Sequence, residues 1–188
     1  DRQIIDRDYK PTKTIENDFK NFVAKVSAEQ DTRVDALETT LGYLLHTYKD
    51  KTDQKAIIFN DQEIDDNPNG GSGKSLVLTA IGKIRNIVKI DGKSFNPQKN
   101  FDFEQLFSLI SEGITVNRKN KDEIFIPFER SPKIVITTNY VISGAGGSHD
   151  RRRHEIEFNQ YFNAQRSPLD EYGRLLFDHW TALDWLIF

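Results

Sequence analysis

The run Pro-Asn-Gly-Gly-Ser-Gly-Lys-Ser at 68–75 has the residue types and the spacing of a loop that holds phosphate. It fits the pattern G-x-x-x-x-G-K-[ST] at every fixed position except the first glycine. Glycines at 70, 71 and 73 let successive backbone N–H groups converge on a polyphosphate at the start of a helix. In this reading Asn69, Gly70, Gly71, Ser72, Gly73, Lys74 and Ser75 form the cradle, Lys74 brings charge to the terminal phosphates, and the Ser75 hydroxyl reaches Mg²⁺. ATP and Mg²⁺ are the expected ligands. The plainer alternative is a flexible glycine loop that happens to precede Lys-Ser. A β-rich run before the loop and a helical pattern after it favour the nucleotide reading.

Three further groups could do chemistry. Ile136-Thr137-Thr138-Asn139 ends an apolar run in a polar amide, which is either a strand-end Asn or a group aimed at a ligand. Two alternating stretches, 114–116 and 123–126, flank a polar tip that carries Arg118, Lys119 and Lys121. Such a two-stranded ribbon suits phosphate tracking on a nucleic acid, and it is equally a solvated turn. Arg151 and Arg152, with Arg153, form a basic cluster that either pairs with Asp150 or Glu155 or serves a phosphate.

Composition bounds what else is open. Across 188 residues, 37% are hydrophobic, 29% are charged and 13 are Phe, which is a folding composition rather than a disordered one. With no Cys and four scattered His, disulfides, thiol nucleophiles and iron–sulfur ligation are excluded, and a zinc site is not expected. No apolar run approaches the ~20 residues of a membrane span, so the expectation is a protein with no membrane partner, in the cytoplasm. The chain contains no Met and is expected to be part of something longer. Its net charge of −3 divides unevenly, since basic residues outnumber acidic ones over 67–153 and the flanks are acidic.

The elements that must position these groups follow from periodicity. Phe19, Phe22, Val23 and Val26 predict one amphipathic helix, and Val34, Leu37, Leu41, Leu44 and Leu45 a second. Strand 56–59 leads into the glycine loop, and a helix runs from 75 to about 85. A short strand at 87–90, a helix over 103–110, the hairpin, a buried strand at 133–138, a mobile glycine loop at 144–147, a strand ending at 158 and a closing helix over 168–187 complete the expectation.

Taken in order, Gly-Gly-Ser-Gly-Lys-Ser, the 112–121 run, Ile136-Thr137-Thr138-Asn139 and Arg151-Arg152-Arg153-His154-Glu155-Ile156-Glu157-Phe158 resemble the superfamily 3 helicase domain of virus, phage and mobile-element primase-helicases, over residues 15–188. The resemblance implies an α/β phosphate-loop core of the AAA+ type, mainly a parallel sheet flanked by helices. It would comprise a small helical region at 1–50 and the ATPase core at 51–188. It implies an ATP-dependent DNA helicase or translocase of a phage or mobile element, acting in a bacterial host cytoplasm on single-stranded or fork DNA. The chain would work as a homo-oligomeric ring, a hexamer, with a primase region upstream in the parent. By the same resemblance Asn139 positions the attacking water, Arg118, Lys119 and Lys121 hold the DNA backbone, and Arg151 or Arg152 reaches the neighbouring subunit's γ-phosphate as a finger.

One departure matters. The family carries a buried strand ending in acidic residues, the Walker B element, where this chain has only residues 96–100. Either those residues are missing from the sequence, which is the expectation, or the core is degenerate. The departure keeps open a nucleotide-binding, non-hydrolysing oligomerisation and DNA-binding module. A small-molecule kinase fits Lys74 but leaves the hairpin and Asn139 without a role.

Overall fold

Phe19, Phe22, Val23 and Val26 give α1 (Asp18–Val26) a single apolar face, and all four are buried. The computed structural model describes residues 18–63, 70–90, 103–117, 119–140, 142 and 144–178. Ala28 and Glu29, both with positive φ, reverse the chain into α2 (Asp31–Leu45), whose buried stripe is Leu37, Thr40, Leu41 and Leu44.

β1 (Ala56–Asp61) is the centre of a three-stranded parallel sheet of order β4-β1-β5, where β4 is Val135–Thr137 and β5 is Arg153–Phe158. Ile57 pairs with Val135 on one side and with His154 on the other. Because it is covered on both faces, β1 reads as an apolar run over its first four residues, Ala56 to Phe59. Its alternation assigns the layers. Ile57 and Phe59 enter a core with α1, α2 and α3 (Lys74–Ile84), while Ala56 and Ile58 pack against Phe103, Leu106 and Ile110. The architecture is α/β, a parallel sheet flanked by helices.

The smaller elements depart from the sequence expectation in informative ways. Residues 87–90 form no strand, and Val88 and Ile90 are exposed; among the described residues this run has no strand partner. The sheet therefore ends at β4 among the described residues rather than spanning a gap to a further strand. The 103–110 segment is a 3₁₀ turn, Phe103–Leu106, followed by α4 (Phe107–Ser111). The glycine-rich stretch leads into α5 (Gly147–Asp150), which carries a buried His149 that lies against the rings of Phe103 and Phe107. The last helix, α6 (Pro168–Tyr172), stops at Gly173, whose φ of 64 ends it in a left-handed cap. Residues 179–188 lie outside the described residues. Among the described residues no helix is long and apolar enough to cross a membrane.

β2 (Gly113–Val116) and β3 (Ile124–Pro127) pair antiparallel as a separate ribbon, as the alternation predicts. Gly113 has a φ of +117, and a Cβ there would stand 2.4 Å from the Ile126 carbonyl oxygen, so only glycine lets the ribbon close at its base.

Lys133, just ahead of β4, ties that strand to α2. Its ammonium donates to the carbonyls of Tyr43 and His46 at the helix C-terminus and lies over the Tyr43 ring. Burial, with Arg85 and Lys49 adding repulsion, pushes this amine down to about 8 from an ordinary 10.5. The unfolded chain then binds more protons between those values, so the contribution of Lys133 to stability rises with pH across that window. Comparing thermal midpoints of wild type and Lys133→Met from pH 7 to 10 should show the wild type gaining on the variant. A constant difference would mean that the amine ionises normally.

Candidate functional site

The phosphate-like loop leaves β1 at its carboxyl end and returns as the first turn of α3. Gly70, Gly71 and Gly73 all have positive φ, and Gly73 serves as the N-cap. A Cβ on Gly73 would meet the Phe22 ring at 2.5 Å, so α1 presses directly on the loop. The Gly73 carbonyl accepts from the N–H groups of Leu76 and Val77. The N–H groups of the residues just before them are the ones a helix start leaves without an intrahelical partner. Asn69 lies outside the described residues.

Lys74 is buried. Its ammonium donates to Asp61 Oδ1 at 2.5 Å and to Ser72 Oγ at 3.0 Å, and Ser72 donates to the same Asp61 oxygen. All three are nearly inaccessible, with Lys74 7%, Asp61 5% and Ser72 3% exposed. An ammonium has three hydrogens. Two are engaged within this cluster, which leaves one for a ligand oxygen. Asp61 was not among the residues singled out from sequence. The available signal was an acidic residue closing an apolar strand upstream of the glycine loop, where a carboxylate, if buried, needs a cation.

Asn139 follows β4 and comes to the same place. Thr138 N–H bonds the Phe59 carbonyl, and the Asn139 amide stands 3.4 Å from where a Gly70 Cβ would be. Gly70 to Ser75 and Asn139 thus line one cavity of about 940 Å³, which falls in the range of small-molecule sites. Ser75 is exposed on this cavity, and its hydroxyl is chemically suited to a hard cation such as Mg²⁺. No cluster of three or more His, Asp or Glu able to hold a metal occurs among the described residues.

The other expected site residues lie at the opposite end of the sheet. Ala56 N–H bonds the Arg152 carbonyl, whereas Asp61, five positions along β1, pairs with Phe158. At ~3.3 Å per residue the arginines begin about 16 Å from the loop within one chain. Arg152 is half-buried over the Phe107 ring and donates to Ser111 Oγ at 3.0 Å and to the Ser148 carbonyl at 3.1 Å. Arg151 is exposed and donates to the Gly147 carbonyl at 3.1 Å. The hairpin springs from the same end, since Gln54, just before β1, bonds the Ser111 carbonyl. Lys119 and Lys121 are exposed at its tip, where Asn120 takes a positive φ. Arg118 lies outside the described residues, as do Asp91 and Asp102.

No family model and no curated protein matches this sequence. Among solved structures, the fold resembles the C-terminal region (305–718) of NrS-1. The A form apo structure matches with a TM-score of 0.56 and 21% identity, covering 94% of this chain and 42% of that one. A second apo structure matches with a TM-score of 0.57 and 18% identity, covering 94% and 44%. The chain therefore spans less than half the length of either structure. At this identity the likeness shows a shared fold.

Removing one partner of the buried pair should be costly, because the charge left behind keeps its desolvation penalty. Asp61→Ala is expected to lose about 3–5 kcal/mol in urea unfolding, and Asp61→Ala combined with Lys74→Met to recover much of that. Additive losses would show that the two groups do not depend on each other.

Proposed function

We propose that this chain is the nucleotide-binding core of an ATP-dependent DNA helicase or translocase of the superfamily 3 type, with an AAA+-like sheet, serving replication of a phage or mobile element. The observation that carries this reading is the convergence of Lys74, Ser75 and Asn139 at the carboxyl ends of adjacent parallel strands around one cavity, the place where open α/β sheets bind ligands. The sequence resemblance and the fold shared with the NrS-1 region support it. In this reading the backbone amides of the loop and Lys74 hold the β- and γ-phosphates, Ser75 holds Mg²⁺, and Asn139 orients water. Bound Mg·ATP supplies the phosphoanhydride whose cleavage drives movement.

The DNA-facing element is the hairpin. Its tip presents Lys119 and Lys121, and Phe125 on β3 is 62% exposed, a surface suited to backbone contact and base stacking. Arginines about a strand length from their own loop can serve only a neighbour's nucleotide, which fits a ring of identical subunits. Of the two, Arg151 is the better candidate finger, because it is exposed whereas Arg152 is half-buried over the Phe107 ring.

A second reading, a nucleotide-binding module that does not hydrolyse, is favoured by one observation. The carboxylate at the loop is Asp61, and it already neutralises Lys74.

Binding is tested by Lys74→Ala made together with Asp61→Ala, so that no buried carboxylate is left unpaired. The folded double variant should bind ATP at least tenfold more weakly than wild type, about 1.4 kcal/mol, by calorimetry. Unchanged binding would remove the nucleotide reading. For DNA, Lys119→Ala should weaken single-strand affinity equally across sequences and lower the salt slope by about one, measured by fluorescence anisotropy. An unchanged slope would return the tip to a solvated turn.

A further inference from the structure

A positive surface lies where α2 ends against the start of β4, away from the cavity. The ammonium of Lys133 donates to the His46 carbonyl at 2.7 Å, stands 3.3 Å from His46 Nδ1 and lies 3.7 Å from the centre of the Tyr43 ring. Burial, with repulsion from Lys133 and Arg85, holds the His46 imidazole below its ordinary value, and Lys133 is itself lowered by burial, Arg85 and Lys49. Three cations are therefore crowded together. No carboxylate lies within ion-pair reach of Lys49, Arg85 or Lys133 among the described residues. Glu129, whose charge reaches Lys49, is bonded to Lys51, and Asp53 is paired with Lys55. Beside the cations, Tyr48 is 69% exposed with its ring 6.4 Å from that of His46. Lys49 donates to Ser131 Oγ at 2.6 Å and lies 4.0 Å from the centre of the Phe128 ring, so the surface meets the chain just past β3 and is continuous with the base of the ribbon.

We propose that Lys49, Arg85 and Lys133, with the exposed ring of Tyr48, form a second contact for single-stranded nucleic acid, in which the cations meet phosphodiester oxygens and Tyr48 stacks on a base. This surface shares its class of partner with the hairpin reading above and uses none of the same residues. Like charges held together without acids repel one another, and a phosphate between them relieves that repulsion. The gain is larger than on a surface of mixed sign. All three cations are half-buried, and two are already fixed, Lys133 on the α2 carbonyls and Lys49 on Ser131, so they lose little freedom when an anion arrives. An acidic protein segment would answer the charge but offer no flat face to Tyr48. A positive groove with an exposed aromatic is the combination that single strands fit.

The test follows the fluorescence anisotropy of a labelled oligothymidylate on this chain across a salt series, for wild type, Arg85→Gln, Tyr48→Ala and Lys119→Ala, with polyglutamate of matched charge as competitor. Arg85 and Tyr48 lie outside the buried core, so both variants keep their fold, and a thermal melt confirms it. Arg85→Gln should weaken binding about threefold or more and lower the salt slope by about 0.7, the share of one single-strand phosphate. Tyr48→Ala should weaken it about fivefold or more with the slope unchanged, because stacking releases no counterion. Polyglutamate should compete at least tenfold less well than unlabelled oligothymidylate. Loss of either variant's effect, or polyglutamate competing equally, overturns the proposal, the last result making the surface a dock for acidic protein. If Lys119→Ala alone weakens binding, this surface falls and the hairpin reading stands; if Arg85→Gln and Tyr48→Ala alone do so, the surface stands and the hairpin reading falls. An oligothymidylate that does not bind wild type removes both.

Discussion

The ammonium of Lys74 and the carboxylate of Asp61 are buried together where the central strand ends and α3 begins, and much of the molecule is arranged around that contact. Two charges out of water must be paired and hydrogen-bonded, and Ser72 completes the set. The pair joins the last residue of β1 to the first of α3, so the loop between them has little freedom at its carboxyl side. Phe22 closes the loop from above, against a glycine that no other residue could replace without moving the ring. The helices ahead of β1 are thus part of what shapes the loop, because α1 and α2 enter the same core as Ile57 and Phe59.

The sheet separates two chemistries. Its carboxyl ends gather the glycine loop, Lys74, Ser75 and Asn139, and its amino ends gather the arginines, Ser111 and the ribbon. In a parallel sheet this polarity follows from topology, since every strand points the same way and like ends lie together. Arg152 bridges the two elements at the amino end by holding both Ser111, at the base of the ribbon, and Ser148 of α5. On the helicase reading, a finger at Arg151 and a DNA-holding tip would share one mechanical footing, so a shift of the arginine segment on a neighbour's phosphate would be passed to the ribbon through Ser111.

Long-period patterns made most of this legible in the sequence. The four apolar positions of α1, most of the stripe of α2, the apolar run of β1 and the pairing of β2 with β3 appear as expected, although Ile124 and Phe125 of β3 are both exposed. What failed depended on partners. The 87–90 run has strand propensity but no edge to join among the described residues, and the helix expected from 168 stops at Gly173, which takes a left-handed cap. After the glycines at 144–147, His149 packs against the rings of Phe103 and Phe107, a contact the sequence reading did not anticipate. Within the site the loop and Asn139 were visible as motifs. Asp61 was not, since it matters through a neighbour more than ten residues away in the chain.

The same buried pair bears on how binding and turnover would be divided. A polyphosphate approaching the loop meets an ammonium whose charge is already balanced, so its electrostatic gain comes from sharing Lys74 with Asp61 or from drawing it away. If Lys74 is shared, Asp61 stays neutralised and cannot polarise water. If Lys74 is drawn away, Asp61 becomes a buried anion beside a polyanion, which costs more than either group alone. Neither arrangement gives Asp61 the part of a water-activating carboxylate. Among the described residues the sheet ends at β4, the strand that Asn139 follows. On the nucleotide reading, the β1 loop would hold the phosphates while the carboxylate that activates water would have to come from another group.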